Sequence, residues 1–182
     1  NPVLLFTGNM SYAPNVDAAQ HLVKDILPLI KHPDVHVVLA GANPKACIKA
    51  LAGDRVTVTG WVDDIAQEYR NATLFVAPLR IGTGLQNKVL EAMASELPCV
   101  LSPHAFAPLN LPSAGHAVVC HDASEFAAAV DQMLFAPDQA KSMARAAREI
   151  IQTSFAWTTH GKTLINLLSR VITSPSGSVS RN

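Results

Sequence analysis

The chain has 182 residues, 49% of them apolar and 15% charged, and its 14 basic and 14 acidic side chains balance to a formal charge of zero. That is enough apolar material for a sizeable core in one domain, and too much for a disordered chain. The even charge gives no sign of a nucleic-acid partner, so any phosphate recognition must be local. No apolar run approaches the roughly 20 residues needed to cross a bilayer, and no signal-peptide pattern precedes the first predicted strand, which points to a soluble chain.

Val3 to Gly8 is a short apolar run that stops in the turn G-N-M-S-Y-A-P-N, which predicts a strand and a loop. An amphipathic stretch from about Val16 to Lys31 predicts the first helix, with Asn15 as its N-cap. Val35 to Ala40 repeats the strand pattern and ends at Gly41, a weaker helix spans Pro44 to Leu51, and Val56 to Thr59 is a third strand ending at Gly60. Asp63 or Asp64 then caps a helix running to about Asn71. Leu74 to Ala77 is a fourth strand, closed by Pro78, which cannot donate to a central ladder. Gly82 and Gly84 follow, and they let a loop take positive φ and a ligand come close to the backbone. Gln86 to Ser95 reads as the next helix, then Cys99 to Leu101 and Ala117 to Cys120 as two further strands. The remainder is helical: Asp122 to Ala136, Pro137 to Ser154 and Thr158 to Thr173, with a polar Gly/Ser/Pro tail over 174–182 expected to be disordered.

Short apolar strands alternating with helices predict an α/β domain over 1–173, a doubly wound, Rossmann-like parallel sheet in a three-layer α/β/α arrangement. Ligands of such sheets sit beyond the carboxyl ends of the strands, and Gly8, Gly41, Gly60 and Gly82 all lie just past predicted strand ends. The helix from Gln86 presents free N–H groups and a partial positive charge to the glycine loop. Lys88 lies one turn in and Glu91 follows at i+3 on the same face. A cation for phosphate beside a carboxylate for sugar hydroxyls suits a nucleotide, although a short glycine motif with solvated Lys and Glu is equally an ordinary turn. Cys47, Cys99 and Cys120 have no pair spacing and read as buried thiols in a reducing compartment, and the seven histidines show no metal-ligand spacing.

The run G-T-G-L-Q-N-K-V-L-E-A-M-A, with F-T-G-N-M-S-Y-A-P-N at the start, V-T-G-W-V-D-D-I in the middle and F-A-W near the end, resembles the C-terminal, donor-binding domain of the family-4 glycosyltransferases. That resemblance implies one half of a GT-B fold, whose substrate is a UDP- or GDP-sugar and whose full-length enzyme needs no metal or other cofactor. It implies a bacterial hexosyltransferase, retaining, acting on a glycan or lipid-linked acceptor in polysaccharide or cell-surface glycan synthesis. The cytoplasm is the expected place, at the inner face of the plasma membrane in the full-length protein. The N-terminal, acceptor-binding half would be missing, so the chain alone is expected to bind donor weakly and to transfer nothing.

By the same resemblance Glu91 accepts hydrogen bonds from the ribose hydroxyls, and Gly82, Thr83, Gly84, Leu85 and Gln86 approach the diphosphate or the donor sugar. Two departures stand out. Many members carry a second Glu with seven residues between it and the first; here Thr83 occupies that place, leaving the catalytic residue unassigned. Many hold the diphosphate with an Arg and a Lys after Gly8, where this chain has Asn9 and Asn15. Lys88 and Arg80 are the candidates to restore the lost charge. Trp61 and Val62 stand where relatives hold the base; Trp61 either stacks on it or seals the core beneath the rim, the commoner use of a large aromatic. A nucleotide-sugar epimerase of the same fold and a non-catalytic nucleotide-sugar-binding module are the alternatives.

Overall fold

A computed structural model of the chain describes residues 1–82, 84–112 and 115–155, with Ile165 and Ser169. The predicted helix from Thr158 to Thr173, those two positions apart, and the tail 174–182 lie outside the described residues.

Short apolar runs satisfy their backbone groups by pairing side by side, and six runs of two to five residues do so here, the inner four with a neighbour on either side. The strands β1 (Val3–Thr7), β2 (His36–Ala40), β3 (Val56–Gly60), β4 (Leu74–Ala77), β5 (Cys99–Leu101) and β6 (Val118–Val119) form one parallel sheet in the order β3-β2-β1-β4-β5-β6. The central strands carry the core: Leu4, Leu5 and Phe6 of β1 and Phe75, Val76 and Ala77 of β4 are fully enclosed. Helices α1 (Ala13–His21), α2 (Ala46–Lys49), α3 (Ile65–Asn71), α4 (Asn87–Ala94), α5 (Pro103–Phe106), α6 (Ala123–Phe135) and α7 (Pro137–Ser154) fill the connections and cover the sheet. The expected Rossmann-like α/β fold is therefore the one observed. The chain order reverses between β1 and β4, and a crevice opens at such a switch point beyond the strand ends.

Most predicted elements match closely, and β4, β5 and α7 coincide with their predicted spans. Of the two aspartates offered as the α3 cap it is Asp64 that serves, its Oδ1 accepting from the Ala66 N–H at 2.9 Å, and α6 is capped in the same way by Asp122, whose Oδ1 accepts from the Glu125 N–H at 2.9 Å. The first helix differs. It begins at Ala13, because Pro14 suits the first turn and the Asn15 N–H donates to the Tyr12 carbonyl, so Asn15 lies inside the helix and caps nothing. Past His21 the coil loosens into a π turn, Leu22–Ile26, then tightens into a 3₁₀ turn at Leu27–Leu29, where Pro28 ends it. Helix α2 is only four residues long, and α5, absent from the sequence expectation, is one turn capped by Ser102, whose Oγ accepts from the Ala105 N–H at 3.3 Å. Strand β6 is two residues, so Cys120 lies just past it, although it is buried with Cys99; Cys47 is exposed, against expectation, on the outer side of α2.

One polar contact fastens the first crossover to a distant helix. Asp131 of α6 is 8% exposed, and its carboxylate accepts from the backbone N–H groups of Lys31 and His32 at 3.0 to 3.2 Å. These amides end the crossover, and the carboxylate gives them a partner within the fold. Asp131→Ala is expected to cost about 1–3 kcal/mol, read as a lower urea midpoint with an unchanged slope.

Candidate functional site

The strand ends set the floor of the site. Beyond β1, β2 and β3 the backbone stays laced, with the Gly8 N–H donating to Ala40 O at 3.0 Å and the Gly41 N–H to Gly60 O at 3.0 Å. The loops are so close that a Cβ at Gly41 would lie 1.9 Å from the Gly8 carbonyl oxygen, and one at Gly8 would lie 2.6 Å from Asn15 Nδ2 and 3.3 Å from Lys88 Nζ. Only glycine fits at either place, because φ is also positive at both, +150° at Gly8 and +140° at Gly41.

Above this floor opens a cleft of about 550 Å³, within the usual range for a small-molecule site. Its walls come from the β1 loop (Gly8, Asn9), the β3 loop (Trp61, Val62) and the start of α4 (Gln86, Lys88, Glu91). The sequence-predicted residues Gly8, Asn9, Trp61, Val62, Leu85, Gln86, Lys88 and Glu91 thus share one cavity. Gly82 and Gly84 take the left-handed backbone expected of them, at φ +110° and +84°, but do not line it. Thr83 lies outside the described residues.

Lys88 is the cleft's half-buried cation. Its ammonium donates to Asn15 Oδ1 and stands 5.0 Å from the centroid of the Phe6 ring, a cation–π arrangement. Asn15 in turn is 5% exposed and donates through Nδ2 to the Asn9 carbonyl at 3.0 Å. Burial pulls Lys88 down to about 8, the charge of Glu91 one turn on offsetting part of that cost. So the ammonium reaches the mouth of β1 from α4 and lies beside the asparagine that stands where relatives carry a lysine. Asn9 is exposed and folds its own loop, its Oδ1 accepting from Ser11 N–H at 3.0 Å and from Ser11 Oγ–H at 2.8 Å.

Arg80 does not share that role. Its guanidinium forks onto Asp17, Nε to Oδ2 at 3.0 Å and Nη2 to Oδ1 at 2.5 Å, and it does not line the cleft. The expectation that Arg80 adds charge to the site is corrected by this pair, in which one carboxylate neutralises it locally.

Glu91 is exposed toward the cleft, with Oε2 accepting from the Tyr69 hydroxyl at 2.9 Å. Tyr69, on α3, is 2% exposed; its hydroxyl also meets Thr7 Oγ1 at 2.8 Å and the Lys88 carbonyl at 3.2 Å. Burial drives this phenol far above its usual range, so it is neutral. Sequence reading missed Tyr69 and Thr7, since a Tyr in a helix after D-D carries no signal until α3 and α4 are seen side by side. Among the described residues no group of three metal-ligating side chains converges, and Asp64 is engaged as the α3 cap.

Trp61 corrects the packing expectation. It is 76% exposed on the rim and seals nothing, because the β3 loop turns outward at Gly60, φ +72°. Its ring is left free to lie against a planar ligand. Trp61→Ala should therefore leave folding stability within about 0.5 kcal/mol of the parent chain; a larger loss in urea denaturation would return Trp61 to the core.

Comparison with known proteins agrees with this geometry. Residues 1–153 match the family model described as Glycosyl transferases group 1, and no curated protein sequence matches. Among solved structures, Anabaena HepE in complex with UDP superposes with a TM-score of 0.80 at 19% identity, over 93% of this chain and 49% of that one. Sucrose-phosphate synthase from Thermosynechococcus elongatus gives 0.75 at 21% identity, over 94% and 45%. The C-terminal domain of LpcC, a glycosyl transferase group 1 family protein from Francisella tularensis, gives 0.65 at 16% identity, over 86% of both chains. The chain thus spans about half the length of the two larger structures, and it shares their fold as one Rossmann-like half of a GT-B architecture. It belongs to the glycosyl transferases group 1 family and is a glycosyltransferase domain.

Proposed function

We propose that this chain is the donor-binding half of a retaining glycosyltransferase that takes a UDP- or GDP-sugar and passes a hexosyl group to a glycan or lipid-linked acceptor held by an N-terminal half. The observation that carries this reading is that one turn of α4 delivers both Lys88 and Glu91 to a single cleft at the strand switch point. The full-length protein would act in bacterial polysaccharide or cell-surface glycan synthesis, at the cytoplasmic face of the plasma membrane.

In this reading the diphosphate lies against Gly8 and the first turn of α4, where backbone N–H groups and the Lys88 ammonium face it. As the sugar–phosphate bond breaks, negative charge grows on the departing diphosphate, and a cation already in place beside it lowers the barrier without a bound metal. Glu91 takes the ribose hydroxyls through a charge-assisted pair, while Trp61 and Val62 flank the base. HepE, solved with UDP and with UDP-glucose, supports a nucleotide-sugar as the ligand class. The acceptor's orienting groups would belong to the other half, so the chain alone binds nucleotide and transfers no sugar.

Isothermal titration of this chain with UDP, GDP and ADP is the test. Selective binding of one nucleotide is expected, weakened by about 1.5–3 kcal/mol in Glu91→Ala; unchanged affinity would remove Glu91 from the site. Lys88→Ala should lower affinity for the diphosphate far more than for the bare nucleoside.

Acidity gives an independent check. A diphosphate beside Lys88 favours the charged ammonium, so its pKa rises on binding from the free value of about 8. Affinity should accordingly be level below pH 7.5 and fall as pH rises past 8, by up to roughly tenfold per unit. This range lies above the last phosphate ionisation, near about 6. At pH 8.5 binding should take up protons, seen as a buffer-dependent heat, and Lys88→Ala should abolish both effects.

A further inference from the structure

We propose that Tyr69, backed by Thr7, is a positioning residue that holds the Glu91 carboxylate in the orientation needed for a ribose diol, and so sets the preference for ribonucleotides over deoxynucleotides. The proposal rests on the donor-site reading, and adds to it two residues with no place in that reading.

The geometry is a short buried chain of hydroxyls. Thr7 closes β1, Tyr69 is on α3 and Glu91 is on α4, three elements far apart in sequence that meet where β1 ends. Thr7 Oγ1 and Tyr69 Oη are 2.8 Å apart, and Tyr69 Oη and Glu91 Oε2 are 2.9 Å apart. Thr7 and Tyr69 are 3% and 2% exposed, whereas Glu91 is open to the cleft, so the chain leads from the core to the ligand side. A phenol has one proton to give. Among its neighbours the carboxylate is the strongest acceptor, so the Tyr69 O–H donates to Glu91, and the Thr7 O–H donates to Tyr69 Oη.

Two consequences follow for a ligand. An exposed glutamate ordinarily has three free χ angles to immobilise before it can accept from two adjacent hydroxyls. With Oε2 held from behind at 2.9 Å, that ordering cost is met by the fold itself. Secondly, Oε2 has already taken one hydrogen bond from the protein, which leaves Oε1 and the outer lone pair of Oε2 to face the cleft as a pair of acceptors. Such a pair fits two neighbouring hydroxyls and gains little from a ring without them. The aromatic ring is fixed independently, tilted against Phe75 at 5.9 Å between centroids, so the hydroxyl can be removed without moving it.

The experiment uses Tyr69→Phe, Thr7→Val and Glu91→Ala, with titration of whichever of UDP, GDP and ADP binds most tightly and of its 2′,3′-dideoxy counterpart. Tyr69→Phe should weaken the ribonucleotide by about five- to thirtyfold and leave the dideoxy compound unchanged, collapsing the ratio between them. Thr7→Val should do the same to a smaller degree. An equal loss for both ligands would show that the hydroxyl only supports packing and would overturn the proposal, as would an unchanged ratio in Tyr69→Phe while Glu91→Ala abolishes it. If Glu91→Ala leaves the ratio intact, or no nucleotide binds, the donor-site reading falls and this proposal falls with it.

Discussion

Everything at the cleft depends on one ammonium held in a half-buried place. Lys88 lies over Phe6, donates to Asn15 and stands beside Gly8, so the residues that accommodate it come from β1, its loop and α1 while the lysine comes from α4. Desolvation of a charge is costly, and the pKa of about 8 is the visible sign that the fold has not fully compensated it. An anion entering the cleft supplies the missing compensation. In the proposed reading the ligand completes the site, and glycine at Gly8 keeps that space open, since any Cβ there would lie against Asn15 and Lys88.

The same dependence explains why α4 is anchored so firmly at its other end. Its chain leaves the helix at Glu96, a non-glycine residue in the left-handed region at φ +58°. Arg145 and Arg148 of α7 both donate to that glutamate, at 3.2 and 3.1 Å. Exposed ion pairs of this kind add little stability singly, but two on one carboxylate fix where the helix ends. A shift of α4 along its axis would carry Lys88 and Glu91 together out of register with β1, since one turn presents both.

Much of this was legible in sequence because it is local. Strand lengths, the aspartate caps of α3 and α6 and the glycines past each strand are set by neighbouring residues, and spacing along one helix put Lys88 and Glu91 on one face. The failures are contacts between distant segments. Asn15 looked like a cap because its residue type caps helices, yet its partner is 73 positions away on α4. Arg80 looked free because Asp17, which binds it, belongs to α1, 63 positions earlier. Trp61 was assigned to packing on residue type, which cannot see which way a loop turns after a glycine. Tyr69 left no trace in a linear pattern at all.

The resemblance implies two cations where this chain has Asn9 and Asn15, and in the proposed reading the charge at the cleft comes from Lys88 of α4 instead. Lys88 is carried by α4, the element that also holds Glu91. In the proposed reading phosphate and ribose recognition are thereby tied to one helix, and their spacing is fixed by its pitch. Asn15 takes the place of the displaced cation without competing with it: its Oδ1 accepts from the ammonium, and its Nδ2 holds the Asn9 carbonyl. A lysine at that position would set two positive charges side by side in a poorly solvated place. Asn9, Asn15 and Lys88 are therefore one linked set, in which the side-chain amide of Asn15 joins the loop carbonyl to the ammonium on α4.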